Sequence, residues 1–157
     1  MDISSLLNGI KASSRYENQI VHIEEIPPRE AFYSSLELKT QVRAALLEAG
    51  IEALYSHQAE SIEKVRAGRD LVLSTTTASG KTLAYMVPIF ETILENPEAT
   101  ALYISPLNAL VNDQLKAFME FEEALKSGAG IARYTGALSE AQKRKVRDGN
   151  TNIVFTN

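Results

Sequence analysis

From Arg69 onward, short β-branched apolar runs alternate with longer stretches whose apolar residues recur at helical spacing, the pattern of βαβ units on a parallel sheet. Four strands are predicted, over residues 71–74, 101–105, 131–135 and 152–156. Each is short and nearly continuously apolar, as strands covered on both faces are. Helices are predicted over residues 81–94, 107–126 and 139–147, with Ser139 as the N-cap of the last. Right-handed crossovers would bring the strand ends to one edge.

The stretch before this reads differently. Residues 20–26 alternate like an edge strand, Pro27-Pro28 interrupts them, and residues 35–49 form a predicted helix closed by Gly50. A second predicted helix, over 57–67, ends on Gly68 directly before the first core strand. There is no internal repeat, and the proline pair is too short to link independent domains.

Composition narrows the class. Of the 157 residues 45% are hydrophobic and 23% charged, which is globular usage and excludes a disordered or fibrous chain. No apolar run approaches the roughly 18 residues of a membrane span. Residues 1–10 lack the basic start and long apolar stretch of a secretory signal, so a cytoplasmic protein with no membrane partner is expected. The absence of cysteine excludes a disulfide scaffold, a thiolate metal site and a cysteine nucleophile. His22 and His57 are too far apart for a local metal motif. The net charge of -4 argues against a chain-wide electrostatic grip on nucleic acid, while leaving room for a local basic strip.

The run Ser74-Thr-Thr-Thr-Ala-Ser-Gly-Lys-Thr82 follows a predicted strand and opens a predicted helix, the context a phosphate-binding loop requires. Backbone N–H groups over residues 77–81, from Thr77, Ala78 and Ser79 to Gly80 and Lys81, would sit at a helix N-terminus, where unpaired donors and the positive dipole end favour an anion. Gly80 lets the backbone approach phosphate oxygens, Lys81 would reach the terminal phosphates of ATP, and Thr82 would place its hydroxyl on Mg²⁺. Thr75 stands where the G-x-x-x-x-G-K-[ST] pattern has its first glycine. The bland alternative is a capped helix start with a solvated Lys81, which the positive end of the helix disfavours.

The loop resembles motif I of DEAD/DEAH-box helicases, a superfamily 2 family in which the leading glycine is commonly replaced. Further resemblances fall in order: Ser105-Pro-Leu-Asn-Ala-Leu-Val-Asn-Asp-Gln114 to motif Ia, Tyr134-Thr-Gly136 to the threonine-glycine motif, and Thr156-Asn157 to the start of motif Ib. Upstream, Leu54-Tyr-Ser-His-Gln-Ala-Glu60 resembles the adenine-reading glutamine segment. The amide of Gln58 can donate and accept at once, as adenine N6 and N7 ask, the pairing by which glutamine reads adenine in DNA. The segment from Ile20 to Ala31 is similar to the mitomycin-repair-factor branch and its RecQ-like relatives. That branch implies a 3′ to 5′ DNA helicase linked to repair.

The resemblance implies a RecA-like parallel α/β lobe of three layers with an N-terminal extension. Residues 1–53 would form that extension, with its edge strand and helix, and 54–157 part of the ATP-binding lobe. It places Pro106, Asn108, Thr135, Gly136, Thr156 and Asn157 on the surface facing a single-stranded or forked DNA, with RNA open, where small polar groups hold phosphates without reading sequence. For Ser105-Pro106 a strand end and helix start is an equally good reading, since proline suits a first turn. Lys143-Arg-Lys-Val-Arg147 is read as a solvated basic face near a helix C-terminus, and the acidic residues 120–123 as exposed.

No Asp-Glu dipeptide occurs in the sequence, so the family's hydrolytic carboxylates are absent from it, as are the second RecA-like lobe and its arginine finger. The expectation is a lobe incomplete at its C-terminus that binds nucleotide without turning it over alone. A non-catalytic ATP-binding or scaffold module, or a truncated remnant, is the alternative. A small-molecule P-loop kinase is disfavoured by Gln58 and by the missing Asp-x-x-Gly element.

Overall fold

A computed structural model describes residues 2–27, 30–76 and 79–157. The chain divides into two units, Met1–Glu30 and Ala31–Asn157.

In the first unit, Ile3, Leu6, Leu7 and Ile10 repeat at i, i+3, i+4 and i+7, and this amphipathic spacing forms α1 (Ile3–Lys11). The pattern analysis did not single this helix out. None of its residues is buried, and Ile3 is 72% exposed. The edge strand expected over 20–26 does not form. Alternation marks a half-buried strand only where a neighbour supplies a ladder, and here Val21 and Ile26 are 93% and 78% exposed. Pro28 lies outside the described residues.

The second unit opens with a short antiparallel pair, β1 (Tyr33–Ser34) against β2 (Leu54–Tyr55), in the register Tyr33↔Tyr55. Between them runs α2 (Thr40–Glu48), which starts five residues later than the sequence pattern suggests, because Lys39 is still in an extended-type conformation. α3 (Ser56–Arg66) follows β2. Both helices end as expected on the glycine just past them. At Gly50, with φ of 77°, Ile51 N donates to Leu46 O and Gly50 N to Leu47 O, and Gly68 repeats this pairing, so the last carbonyls are satisfied.

Residues 71–74, the first predicted core strand, form no strand. None of the parallel strands ladders with them, and Val72 is 94% exposed, so the apolar run has no hydrogen-bonded neighbour among the described residues. The other three predicted strands form, each slightly trimmed: β3 (Ala101–Ile104), β4 (Ile131–Arg133) and β5 (Ile153–Thr156). All are parallel, and the order β3-β5-β4 places the last strand at the centre. α4 (Lys81–Glu95) precedes β3, α5 (Asn108–Leu125) connects β3 to β4, and α6 (Glu140–Asp148) connects β4 to β5. Ser139 caps α6, its hydroxyl accepting from Gln142 N at 3.3 Å.

The core lies between the sheet and the helices α4 and α5. Ile153 and Phe155 of the central strand are fully buried there with Val87, Phe90 and Phe118. Phe118 is the hub of the aromatic cluster, with ring centroids 5.1 Å from Phe155, 5.7 Å from Phe90 and 6.1 Å from Tyr85. On the opposite face of β3, Leu102 and Ile104 are 63% and 68% exposed. A partly buried ion pair ties α3 to α4: Arg66 donates to both oxygens of Glu91, at 2.9 and 2.6 Å, and to the carbonyl of Glu37 at 2.9 Å. No helix among the described residues is long and apolar enough to cross a membrane.

Candidate nucleotide site and nucleic-acid face

The site is assembled where the N-termini of α3 and α4 meet. Gly80, the residue that starts α4, has φ of 74° and ψ of 26°, a left-handed conformation that costs other residues about 1–2 kcal/mol. Space imposes the same choice, because a Cβ there would lie 2.5 Å from Gln58 Nε2.

Gln58 is 2% exposed, and both ends of its amide are used. Its Oε1 accepts from Tyr55 N at 2.8 Å, closing the first turn of α3. Its Nε2 donates to Gly80 O at 2.7 Å. Beside it, His57 Nε2 lies 2.9 Å from Ser79 O. A carbonyl only accepts, so this nitrogen carries the proton. Two adjacent side chains of α3 therefore hold two adjacent carbonyls of the loop.

Lys81 folds back over the loop. Its ammonium donates to Thr75 O at 3.0 Å, Thr75 Oγ1 at 3.2 Å, Thr76 O at 2.6 Å and Ser79 Oγ at 3.3 Å. Thr75 and Ser79 hydroxyls are also paired, at 2.6 Å. Among the described residues every partner of Lys81 is a neutral oxygen, so they cradle a cation without a counter-charge. Thr75, the departure from the glycine pattern, thus contributes two of the four contacts. Thr77 and Ala78 lie outside the described residues.

Thr82 sits one residue into α4, and its hydroxyl is 3.1 Å from Gln114 Oε1 on α5, which also accepts from Tyr85 Oη at 2.6 Å. Burial, opposed by the hydrogen bond to Thr82, raises the Tyr85 phenol above its ordinary value. Among the described residues no group of three His, Cys, Asp or Glu side chains could hold a metal ion.

An aromatic stack stands beside Gln58. The rings of Tyr33 and Tyr55 are 5.1 Å apart and those of Tyr55 and His57 5.7 Å, with Tyr33 59% exposed. Sequence reading missed this stack and the Thr82–Gln114–Tyr85 triad. Tyr85 is spaced i+3 from Thr82, the one local signal for the triad, whereas Tyr33 and Tyr55 meet only through the β1–β2 register.

The parallel register sets Ile104 against Thr156 and Arg133 against Phe155, so the runs after β3, β4 and β5 share one edge of the sheet. Pro106, Asn108, Gly136 and Asn157 are exposed along it, Thr156 is half-buried, and Thr135 is only 4% exposed. Ser105 N donates to Thr156 O at 3.0 Å, binding the first run to the third. α6 adds Arg147, whose guanidinium is 3.5 Å from Tyr134 Oη, while Lys143 is paired with Glu140 at 2.8 Å.

A family model described as DEAD/DEAH box helicase matches residues 55–157. The ATP-dependent helicase HRQ1 of Saccharomyces cerevisiae is 32% identical over 99% of this chain, and YprA, an ATP-dependent helicase of Bacillus subtilis, is 34% identical over 99%. The chain covers 14% and 20% of those two proteins, a fifth or less of their length. Among solved structures, the helicase MrfA bound to DNA and AMPPNP matches all of this chain and 22% of its own, at a TM-score of 0.86 and 33% identity. The DEAD-box helicase Mss116 bound to ssRNA and UDP-BeF matches 76% of this chain and 26% of its own, at a TM-score of 0.66 and 18% identity, and shares the fold. The chain belongs to the DEAD/DEAH-box family of superfamily 2 helicases, as a RecA-like α/β lobe related to HRQ1, YprA and MrfA.

Proposed function

We propose that this chain is the ATP-binding part of a DNA helicase, with residues 54–157 forming the lobe and 1–53 an extension to it. The observation that carries the reading is the latch at Gly80. One buried glutamine holds a left-handed glycine at the start of α4, and among the described residues the lysine after it is cradled by neutral oxygens alone. Such a loop is short of one anion, and a helix N-terminus supplies the remaining donors for phosphate.

The residues present fit a nucleoside triphosphate with Mg²⁺. Lys81 would exchange loop carbonyls for terminal phosphate oxygens, the backbone over 77–81 would donate to the others, and Thr82 would offer its hydroxyl to the cation. A single protein oxygen suits Mg²⁺, which keeps several waters and is held largely by phosphate. Gln58 is buried with both amide ends engaged, so it would have to turn out from Tyr55 and Gly80 to meet an adenine edge, while the exposed Tyr33 ring offers a base a stacking surface. Bound Mg²⁺ would supply charge neutralisation at the phosphates.

The exposed residues Pro106, Asn108, Gly136 and Asn157 supply the strand-facing edge, with Thr156 beside them and Thr135 supporting Gly136 from beneath. Two similar structures of MrfA are bound to DNA, which supports DNA over RNA as the partner. Resemblance to the mitomycin-repair-factor branch supports a role in DNA repair. Hydrolysis and unwinding belong to a protein that also holds the Asp-Glu box and a second RecA-like lobe. This chain alone holds ATP without turning it over.

The strand-facing assignment is tested by anisotropy of a labelled single-stranded oligonucleotide over a range of salt. Binding should weaken as salt rises, and Asn108→Ala should weaken it about three- to tenfold, the worth of one lost hydrogen bond. Nucleotide binding without any strand binding would instead favour an ATP-binding scaffold module.

A further inference from the structure

We propose that Gln114 is a positioning residue for the Thr82 hydroxyl, fixing which side of that oxygen faces a bound cation. The inference rests on the reading of Thr82 as the Mg²⁺-facing residue and assigns a role to a side chain on another helix.

Gln114 Oε1 lies 3.1 Å from Thr82 Oγ1 and 2.6 Å from Tyr85 Oη. A carbonyl oxygen has two lone pairs and no proton, so both hydroxyls donate to it and its capacity is filled. Thr82 has one proton, and of its two neighbours Gln114 Oε1 at 3.1 Å is nearer than Tyr85 Oη at 3.5 Å, so that proton is directed to α5. Its lone pairs are then turned away from Gln114, and a metal ligand must present a lone pair, not a proton. Without Gln114 the hydroxyl rotor would be free to turn its proton elsewhere, including toward Tyr85 Oη, 3.5 Å away.

The second donor keeps the arrangement in place. Tyr85 is one turn beyond Thr82 on the same helix, and its ring packs against Phe118 of α5 and Tyr103 of β3. Its short bond to Gln114 therefore comes from a side chain anchored in the core. Gln114 is itself half-buried on the helix that begins at Asn108. Among the described residues the Thr82 hydroxyl meets only Gln114 Oε1 at 3.1 Å and Tyr85 Oη at 3.5 Å, and the nearer of the two sets its orientation.

The test compares calorimetric binding of AMPPNP by the full chain in Mg²⁺ and in EDTA. The readout is the ratio of the two affinities, which a merely structural contact would leave unchanged. Thr82→Val should abolish most of the Mg²⁺-dependent gain. Gln114→Leu should lower that gain about three- to tenfold, the range of one hydrogen bond, with affinity in EDTA unchanged. Gln114→Glu keeps an acceptor at the same place and should restore the gain; Gln114→Ala serves as a second loss variant should leucine disturb folding. If Thr82→Val leaves the gain intact, the reading of Thr82 fails and this inference with it. If Thr82→Val lowers the gain while both loss variants keep it, the positioning role alone is overturned. Equal losses in Mg²⁺ and EDTA, or a glutamate that does not restore the gain, also overturn it.

Discussion

Gln58 shows how much of a site one residue can organise. Its carbonyl closes the turn that begins α3, and its amide group holds the carbonyl of Gly80 at the start of α4. The candidate role in reading adenine was legible from the residue type and its neighbours in sequence, but the tie to Gly80 spans 22 positions and is a property of packing. Tyr85 is the matching case at the other end of the loop. Its hydroxyl donates to Gln114, and burial raises its pKa above the ordinary value of 10.0. The protonated phenol is thus favoured in the folded state. Its contribution to stability is full below pH 10 and is lost as pH rises through the raised folded value, because the unfolded chain releases that proton first. Thermal melts from pH 8 to pH 11 should therefore fall more steeply for the wild-type chain than for Tyr85→Phe. Parallel slopes would mean that the phenol is not held by this environment.

Among the elements, what could be read from the sequence was what local chemistry decides. Gly50 and Gly68 end their helices, Ser139 caps α6, and the three apolar runs at 101, 131 and 152 become strands, because each depends on residues a few positions apart. Residues 71–74 and 20–26 were misread for the opposite reason: a strand exists only with a partner, and neither segment is paired. The Arg66–Glu91 pair was equally invisible, since it joins two helices across 25 positions. Glu91 has only 7% of its side chain exposed, so removing its partner would leave a buried carboxylate. Urea melts of Arg66→Ala should show a loss of about 3 kcal/mol, the low end for breaking a buried pair because Arg66 is a third exposed. The double variant Arg66→Ala/Glu91→Leu should recover part of it. A loss below about 1 kcal/mol would place this pair with ordinary surface ion pairs.

For the molecule as a whole, the sequence motifs and the sheet topology arrive at one arrangement from independent directions. The parallel order β3-β5-β4 brings three motif-bearing runs to a common edge, and the same α5 that starts on that edge reaches back to Thr82. The proposed nucleotide loop and the proposed strand-facing edge are joined by one helix, and the chain belongs to the DEAD/DEAH-box helicase family. The central claim is that the loop between Gln58 and Thr82 holds ATP. Calorimetry of ATP with Mg²⁺ against the folded chain, its Lys81→Ala variant and its Gln58→Ala variant tests this most directly. The account expects saturable binding by the wild-type chain, weakened about ten- to hundredfold by loss of the Lys81 charge-assisted bonds and weakened also by loss of the Gln58 latch. A folded wild-type chain that takes up no ATP, or a Lys81→Ala variant that binds it undiminished, would contradict the account.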